Sequence, residues 1–507
     1  MKTLLPATLH SLPAGIARPA YDRAGTGIGI VHLGVGAFHR AHQAVYTDEA
    51  LALAGADGDW GICGVSLRSA DVRDRLAPQD GLYTAVEKSS AGVSRRIVGA
   101  VREVLFLGDE RPAVDARLAA PTTHIVTLTV TEKGYCHDPA TGRLNFEHPD
   151  IVHDLDHPLA PKSVVGLLVA GCAARQRTNA GPLSIVCCDN LPHNGQVLKG
   201  LVAEFAAARD ERIAASGGVP IAPWIAAHTS YPSTMVDRIV PATTDADIAD
   251  NDAALNEGNA GDPLHDAAPV VFEPFRQWVI EDAFVTPRPA WERVGAQLVA
   301  DVAPFELMKL RLLNGSHSTM AYLGFLAGYD YIYQVSADPR FERLVGGLWD
   351  ESGATLPPLP GIDVHQYRRD LWARYQNAAL PHRTWQIAMD GSQKLPQRLL
   401  QPLRDRLRAG ASIAHLALAV AGWMRYVSGF DETGSPIDVR DPLAAEFKKR
   451  CAANPEPDER VQALLDIKAI FGDDLPRDAH FVHAVTGWHR ELALWGVAYV
   501  LDTHFKV

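Results

Sequence analysis

The sequence predicts an α/β protein in which an N-terminal domain built on a parallel sheet precedes a mainly α-helical C-terminal domain. Short apolar runs alternate with helical patterns in the first part of the chain, which favours a parallel sheet covered by helices. After about Pro289, long helical patterns with few β-branched runs dominate. We therefore predict domains at residues 1–289 and 290–507.

The predicted strands of the sheet are the apolar runs at residues 28–33, 60–67, 124–130 and 183–188. The last two runs end in polar tips, at residues 131–134 and 189–195. Ligands of open parallel sheets bind beyond the carboxyl ends of the strands. These tips are therefore predicted to line a binding cleft.

Composition limits the classes of partner. The chain has 507 residues, is 47% hydrophobic and is long enough for two or more cores. A net charge of −12 offers no basic stripe for nucleic acid, so we expect small-molecule partners. The cysteines lack the density of a disulfide scaffold and the paired spacing of a zinc site. We expect no metal site, and reduced core thiols at Cys63, Cys136, Cys172, Cys187, Cys188 and Cys451.

The apolar stretches of the chain argue against export and membrane insertion. Pro6 and Pro13 interrupt the N-terminal stub, which lacks the continuous apolar region of a secretory signal. The stretches at residues 164–174 and 413–424 fall short of the roughly 20 residues that span a bilayer. We therefore predict a cytoplasmic protein with no membrane partner.

A glycine turn follows the first predicted strand. Gly34 and Gly36 separate that strand from a helical segment that continues to about Leu53. In this context the backbone can approach the pyrophosphate of a dinucleotide, which predicts an N-terminal domain of the Rossmann type. His39 stands where the full fingerprint has a third glycine, so the turn alone also matches ordinary turns.

Asp71, shortly after the second predicted strand, is the candidate partner of the cofactor's adenosine ribose. An acidic residue at this place binds the ribose hydroxyls and repels a 2′-phosphate, which favours NAD. Arg68 lies nearby and could instead accept the phosphate of NADP. An exposed loop carboxylate is the alternative interpretation of Asp71. We predict NAD.

The stretch from Met308 to Ser318 carries the candidate chemistry of the second domain. On an α-helix, Lys309 and His317 share one face with apolar neighbours. A lysine held against an apolar surface loses hydration, which lowers its pKa and suits it to acid/base chemistry. Asn314 lies about 140° from Lys309 on an ideal helix, so we expect it to meet a substrate only at the edge of that face, or where the helix loosens at Gly315. A surface helix with scattered polar residues is the alternative.

Polar residues of the first domain also have two interpretations. Asn190, in the second polar tip, could polarise a carbonyl oxygen, although asparagine in such a turn also caps backbone groups. His39 and His42 are spaced like two metal ligands, but no third ligand follows at a suitable distance. We expect these histidines to pack near the cofactor.

Several longer motifs resemble the mannitol dehydrogenase family, the polyol-specific long-chain dehydrogenases, and the resemblance runs nearly end to end. The motifs occur in the family's order, which is far more specific than any one motif alone. They are Gly34-x-Gly36-x-Phe38-x-Arg40, Thr131-Glu132-Lys133-Gly134-Tyr135-Cys136, Cys188-Asp189-Asn190, Met235-Val236-Asp237-Arg238-Ile239, Glu273-Pro274-Phe275-x-Gln277-Trp278, the stretch from Lys309 to His317, and Met389-Asp390-Gly391-Ser392-Gln393-Lys394.

The resemblance implies a metal-independent, NAD-dependent dehydrogenase. It makes Lys309 the general acid/base, Asn190 and Asn314 a pair that polarises the substrate oxygen, and His317 the group that orients the reacting hydroxyl. The residues that it implies for the cofactor are Gly34, Gly36, Phe38, Arg40, Asp71 and Glu132, the last also near the proton route. Asp237 and Lys394 match substrate-pocket positions; a structural Asp237–Arg238 ion pair and a solvated loop lysine are the alternatives.

The identity of the substrate depends on two arginines. Arg311 and Arg383 could bind a carboxylate bidentately, which favours the interconversion of D-fructuronate and D-mannonate over that of D-fructose and D-mannitol. The alternative is that both arginines pair with acidic residues such as Asp390 and support the fold.

A non-catalytic nucleotide-binding regulator is the alternative of another class. It would have little reason to keep Lys309, Asn190, Asn314 and His317 together. The family resemblance also implies a monomer.

Overall fold

The computed structural model describes residues 2–53, 58–138, 141–214, 217–258 and 261–506. The chain divides into two compact units, Met1–Ala303 and Pro304–Val507. The predicted division after residue 289 is too early, because the strand Gln297–Val299 pairs with the strand Gln277–Glu281 and so belongs to the first unit.

Helices and strands alternate through the first unit. Its strands are β1 (Lys2–Thr3), β2 (Ile28–Leu33), β3 (Gly61–Ser66), β4 (Tyr83–Ser89), β5 (Gly92–Val98), β6 (Val101–Phe106), β7 (Ile125–Leu128), β8 (Leu183–Cys187), β9 (Thr229–Ser230), β10 (Thr234–Asp237), β11 (Leu264–His265), β12 (Val270–Phe272), β13 (Gln277–Glu281) and β14 (Gln297–Val299). Its helices are α1 (Ala37–Ala41), α2 (Gln43–Leu51), α3 (Asp71–Leu76), α4 (Arg111–Ala119), α5 (Pro149–Asp156), α6 (Val164–Thr178), α7 (Asn194–Ala214), α8 (Ala222–His228) and α9 (Asp245–Leu255). Short 3₁₀ helices lie at Pro6–Ser11, Ala77–Gln79, Glu132–Tyr135 and Trp291–Val294.

The main sheet has the strand order β6-β3-β2-β7-β8-β9, and every neighbouring pair is parallel. This is the order of the doubly wound dinucleotide-binding fold, in which the direction of winding reverses between β2 and β7. The predicted Rossmann-type sheet is therefore confirmed. Ligands of this fold bind at the carboxyl ends of the strands beside that reversal, where β2 leads into Gly34 and β7 leads into the tip at Glu132.

The sheet is buried because both of its faces are covered. Its strands are nearly continuous apolar runs, with Val31, Leu33, Val126 and Ile185 almost fully buried. Helix α6 is one of the covering elements: Ser163 caps its first turn by accepting the N–H of Gly166, and a left-handed Asn179 ends it. The six cysteines are buried free thiols.

The second unit is helical, as predicted. Its α-helices are α10 (Ala303–Met308), which begins at the boundary, α11 (Gly315–Leu326), α12 (Ile332–Ala337), α13 (Pro339–Gly353), α14 (Val364–Tyr375), α15 (Thr384–Ala388), α16 (Gly391–Leu395), α17 (Gln401–Arg408), α18 (Ala414–Val427), α19 (Ala444–Ala453), α20 (Pro457–Leu465), α21 (Lys468–Phe471) and α22 (Ala479–His504). A 3₁₀ turn lies at Leu475–Arg477, and two π-helices lie at Lys309–Asn314 and Pro396–Leu400. A π-helix thus interrupts the helical stretch from Met308 to Ser318 that was predicted to carry the candidate chemistry.

Among the described residues, the helices are all too short or too polar to cross a lipid bilayer. The cytoplasmic location and the monomeric state remain predictions.

Gly34 is held in a conformation that other residues rarely adopt. Its φ is +97°, and a Cβ at this position would collide with the carbonyl oxygen of Thr129. The hydroxyl of Thr129 in turn donates to the carbonyl oxygen of Gly34 over 2.9 Å. The close approach of β2 and β7 at the reversal of the sheet therefore requires glycine here.

We expect Gly34→Ala to lower the free energy of unfolding by the sum of two effects. A left-handed backbone costs a residue with a Cβ about 1–2 kcal/mol, and the collision with Thr129 adds roughly 1–3 kcal/mol. Gly295→Ala is the matched control, because Gly295 has a φ of +100° in open space. Urea unfolding should show the larger loss for Gly34→Ala; equal losses would contradict the proposed crowding.

Candidate active site

The glycine turn leads from β2 into α1 at the carboxyl edge of the sheet. The N–H of Gly34 donates to Val65 of the neighbouring strand over 2.9 Å, and the N–H of Gly36 donates to Gly34 over 2.6 Å. A Cβ on Gly36 would meet no atom closer than 3.8 Å, so space remains beside this backbone for a ligand. Phe38 is half-buried and stacks on His42, with ring centroids 5.1 Å apart.

Arg40 faces the interior of the first unit. Its guanidinium donates to the carbonyl oxygen of Ala268 and lies 5.4 Å from the ring centroid of Tyr83. The hydroxyl of Tyr83 donates to the carbonyl oxygen of Arg40 over 2.6 Å. These contacts favour a structural role over the predicted cofactor contact.

The histidines of the turn form a buried stack. The rings of His32 and His39 are 3.4 Å apart, and burial lowers the pKa of His32 to about 3. The ring of His32 is also hydrogen-bonded to Thr127 and Thr129, and His42 Nε2 lies 2.9 Å from the carbonyl oxygen of Gln277. Packing against neutral rings describes this stack, in line with the prediction for His39 and His42.

Asp71 begins α3, just after the carboxyl end of β3. Its carboxylate is exposed and accepts a hydrogen bond from the hydroxyl of Ser69 over 2.6 Å. Because β3 is the neighbour of β2 in the sheet, Asp71 follows the strand beside the glycine turn, as the ribose partner does in this fold. Arg68 is exposed as well.

The carboxylate of Asp189 joins the tips that follow β7 and β8. It accepts hydrogen bonds from the N–H groups of Val130 and Thr131 at 2.8 and 3.0 Å, and from the hydroxyl of Tyr135 at 2.6 Å. Thr131 has a φ of +68°, a strained conformation that this clamp helps to maintain. The predicted site residues Glu132 and Asn190, both exposed, therefore belong to one fixed edge.

The side chain of Asn194 fixes the turn after β8. Its side-chain amide donates to the carbonyl oxygens of Asp189 and Thr234 at 3.0 and 2.9 Å and accepts the N–H of Thr234 at 2.9 Å. Asn194 is fully buried, and its position in the turn did not single it out in the sequence. It holds the backbone that presents Asn190.

Asp237 ends β10 and is buried, with 5% of its surface exposed. The neighbouring Arg238 has other described partners: it donates to the carbonyl oxygens of Glu273 and Ala41 and lies 3.5 Å from the carboxylate of Glu87. These contacts do not support the alternative in which Asp237 and Arg238 form a structural ion pair.

Lys309 and Asn314 begin and end a π-helix. The N–H of Gly315 donates to the carbonyl oxygen of Leu310, the five-residue spacing of a π-helix. A π-helix turns less per residue than an α-helix, so residues five apart lie closer in direction than the roughly 140° that an α-helix gives them. The widened segment before Gly315 therefore turns Asn314 towards the face of Lys309, and the contact of Asn314 with a substrate stays a prediction. Both side chains are half-buried.

Side chains donate hydrogen bonds to two carbonyl groups in the second half of the π-helix. Trp349 Nε1 and the hydroxyl of Ser316 donate to the carbonyl oxygen of Leu312, at 3.0 and 2.5 Å. The hydroxyl of Tyr375 donates to the carbonyl oxygen of Leu313 over 3.0 Å. Without such donors, buried carbonyls would carry a desolvation cost, so these three side chains stabilise the π-helix.

His317 lies one turn beyond the π-helix, in α11. Its ring stacks on Tyr375 with centroids 5.5 Å apart, and its Nε2 is buried with no hydrogen-bond partner among the described residues. Burial first, and then the nearby charges of His382, Arg398, Arg374 and Lys394, hold the pKa of His317 well below its usual value. The ring is therefore neutral and can share a hydrogen bond with a hydroxyl.

Lys394 lies in α16 rather than in a solvated loop. Its ammonium donates to the carbonyl oxygens of Met389 and Ile387 at 2.5 and 3.3 Å. Burial, reinforced by the charge of Arg398, lowers its pKa. The alternative of a solvated loop lysine was therefore wrong.

The second π-helix, Pro396–Leu400, packs directly against the first one, Lys309–Asn314. A Cβ on Gly315 would lie 3.1 Å from the carbonyl oxygen of Arg398, which is tighter than ordinary contact. Arg398 Nη1 donates to the hydroxyl of Ser318 over 3.0 Å. Arg398 was not predicted as a site residue from the sequence. The one available signal was Pro396, which interrupts regular helical hydrogen bonding at this place.

The arginines predicted to bind the substrate have other contacts. Arg311 is 5% exposed, pairs with Asp405 at 2.8 Å and donates to Thr355. This favours the alternative of a supporting ion pair, although with Asp405 in place of Asp390. Arg383 is exposed and lies 5.3 Å from the ring centroid of Tyr331, a position that an arginine on the protein surface often takes.

Cys136, His148 and Asp150 are the one trio of the described residues whose ligand atoms lie within 4.8 Å of one another. His148 Nδ1 already accepts the N–H of Asp150. Burial, together with the carboxylates of Asp150 and Asp154, raises the pKa of Cys136 to about 11. The described role of the His148 ring is to cap the first turn of α5.

Both units match models of one protein family. The Mannitol dehydrogenase Rossmann domain matches residues 28–293, and the Mannitol dehydrogenase C-terminal domain matches residues 301–493. These matches cover well over half of the chain, and they confirm the resemblance that the motifs indicated.

Similar proteins cover almost the whole chain. A D-mannonate oxidoreductase of Escherichia coli (strain K12) is 46% identical over 94% of this chain and 96% of its own length. An uncharacterized oxidoreductase of the same strain is 45% identical over 98% and 99%. The mannitol 2-dehydrogenase of Pseudomonas fluorescens, solved in a ternary complex with NAD and D-mannitol, is 38% identical over 99% of both chains, with a TM-score of 0.81. The chain therefore belongs to the mannitol dehydrogenase family of oxidoreductases.

Proposed function

We propose that the chain is an NAD-dependent oxidoreductase that interconverts D-fructuronate and D-mannonate, with Lys309 as the general acid/base. The observation that carries the proposal is the π-helix at Lys309–Asn314, which turns the amide of Asn314 towards the face that carries the ammonium of Lys309. His317 adds a neutral ring with an unsatisfied Nε2 in the following turn. An ammonium, an amide and an imidazole are the groups that a carbonyl reduction needs around its oxygen.

The glycine turn fits a dinucleotide. Gly36 leaves open backbone beside Gly34 at the reversal of the sheet, and Asp71 follows the neighbouring strand. We assign Gly34, Gly36, Phe38, Asp71 and Glu132 to the cofactor. Arg40 has a supporting role. When bound, the nicotinamide supplies or accepts the hydride at the carbon of the reacting C–O bond.

The remaining steps belong to side chains of this chain. In reduction, Lys309 gives a proton to the carbonyl oxygen while Asn190 and Asn314 donate hydrogen bonds to that oxygen. His317 holds the reacting hydroxyl in orientation, and Lys309 takes the proton back in the oxidative direction. Donors that are fixed in place around a developing alkoxide each contribute about 3–4 kcal/mol of transition-state stabilisation.

Two observations favour a sugar acid over a neutral polyol. One relative named above is a D-mannonate oxidoreductase, and it is more similar to this chain than the mannitol 2-dehydrogenase is. In addition, His317 is surrounded by cationic side chains, among them Arg398 and Lys394.

The second candidate is a mannitol 2-dehydrogenase type of enzyme, supported by the solved structure of that relative with D-mannitol. Asp237 and Lys394 complete the proposed substrate pocket, and Arg383 stays a weaker candidate.

A non-catalytic regulator accounts poorly for these residues. Such a protein would need the glycine turn but not the costly π-helix with its dedicated donors Trp349 and Tyr375.

We expect the purified protein to oxidise NADH with D-fructuronate faster than with D-fructose, and to use NADPH poorly. Lys309→Ala should lower kcat roughly 100-fold or more, because the proton donor is lost, with nearly unchanged NADH binding. The measurement is the absorbance of the reduced nicotinamide over time. Lys468→Ala is the control, because Lys468 lies in the same unit and is 76% exposed.

Each other outcome of this assay has a definite meaning. No oxidation with any ketose or uronate would favour the regulator. Preference for D-fructose would favour the mannitol 2-dehydrogenase type. A Lys309→Ala variant with near-normal kcat would remove this lysine from its assigned role.

We expect Trp349→Phe to lower kcat roughly tenfold, an activation barrier about 1.4 kcal/mol higher. The change removes one of the donors to Leu312 and weakens the support of the π-helix, so we expect Asn314 to turn away from Lys309. Trp488→Phe is the matched control, because Trp488 Nε1 donates to Ala414 over 2.9 Å elsewhere in the unit. Either change should lower the free energy of unfolding by about 1–3 kcal/mol. Equal kcat values for the two variants would argue against a role for the π-helix.

A further inference from the structure

We propose that Arg398, on the second π-helix, binds the carboxylate of the substrate and so sets the preference for sugar acids over neutral sugars. This inference rests on the proposed function and names the residue that distinguishes its substrate class. It differs from the sequence-based expectation, which assigned the carboxylate to Arg311 or Arg383.

The first argument is the missing counter-charge. Arg398 is half-buried and burial lowers its pKa, yet the one hydrogen bond described for its guanidinium goes to the neutral hydroxyl of Ser318. No carboxylate of the described residues forms an ion pair with it, whereas the buried Arg311 pairs with Asp405. A buried cation without a carboxylate partner is costly for stability, so a function that requires the charge accounts for its presence.

The second argument is the shape of the donor that remains. Nη1 is engaged with Ser318, while Nε and Nη2 have no described hydrogen-bond partner and are not sealed from solvent. This free edge of the guanidinium presents two parallel N–H groups. Such an edge matches the two oxygens of a carboxylate.

The third argument is the surrounding charge. The charge of Arg398 contributes to the lowered pKa of both His317 and Lys394, so all three groups lie close together. His382 lies 5.9 Å from His317, measured between ring centroids. The acidic groups whose charge acts on Lys394 are Asp390 and Asp441, and the Asp441 carboxylate already accepts hydrogen bonds from Ser392 and Leu443. A cationic cluster of this kind favours an anionic ligand over a neutral one.

The position also suits the substrate. His317 is the proposed partner of the reacting hydroxyl, and the carboxylate of D-fructuronate is at the other end of the carbon chain from its ketone. Arg398 lies beside His317 and on a different helix from Lys309, so it can hold that distant end without competing for the reacting oxygen. The contact of its backbone with Gly315 fixes this arrangement.

The test compares Arg398→Gln and Arg398→Lys with the wild type in two measurements. The first is kcat and KM with NADH for D-fructuronate and for D-fructose. The second is calorimetric binding of D-mannonate and of D-mannitol in the presence of NADH, pairs that cannot react. Arg404→Gln is the control. Arg404 lies in the adjacent helix α17, and its guanidinium forms an ion pair with Asp474.

We expect Arg398→Gln to raise KM for D-fructuronate and to weaken D-mannonate binding, each roughly 10- to 100-fold. The values for D-fructose and D-mannitol should change less than about threefold, within the context dependence of a single contact. Arg398→Lys should recover part of the loss, because it restores the charge but not the bidentate edge. Arg404→Gln should resemble the wild type.

Failure of this inference is distinguishable from failure of the proposed function. If the wild type reduces D-fructuronate and Arg398→Gln leaves its KM unchanged, the inference is overturned and the function stands. If the wild type reduces neither compound, the function is overturned, and calorimetry still decides the inference. Equal binding of D-mannonate and D-mannitol by the wild type, or loss of D-mannonate binding in Arg383→Gln but not in Arg398→Gln, would overturn it.

Discussion

The second unit depends on hydrogen bonds that keep one segment in a five-residue spacing. Trp349 and Tyr375 donate to the carbonyl oxygens of Leu312 and Leu313 in this segment, and such buried hydrogen bonds stabilise it. The wider spacing turns Asn314 towards the face of Lys309, from which an α-helix of the same sequence would separate it by about 140°. The chemistry of this face is thus a property of the backbone spacing as much as of the residue types.

A different constraint organises the first unit. The tips of two strands are tied by the carboxylate of Asp189, and β2 approaches β7 so closely that only glycine fits at position 34. Both features lie at the reversal of a parallel sheet, where ligands of this fold bind. A rigid edge of this kind can present Asn190 and a cofactor with little loss of conformational freedom on binding.

The sequence was sufficient for the parallel sheet, the glycine turn and the helical second unit, because apolar periodicity and glycine positions encode them directly. It could not predict the π-helix, because side chains that stabilise it, such as Trp349 and Tyr375, lie in segments distant in the chain. It also misjudged the arginines: Arg311 pairs with Asp405 while Arg398 bonds to Ser318, and such pairing likewise depends on distant segments. Asn194 was missed because buried polar supports leave no local pattern.

A crystal structure of the chain with NADH and D-mannonate would test the central claim most directly. The account predicts that the N–H of Gly315 remains bonded to Leu310, with Lys309 Nζ and Asn314 within hydrogen-bond distance of the same substrate hydroxyl. It also predicts that Arg398 contacts the carboxylate. A regular α-helix through residues 309–314, with Asn314 turned away from the substrate, would contradict it.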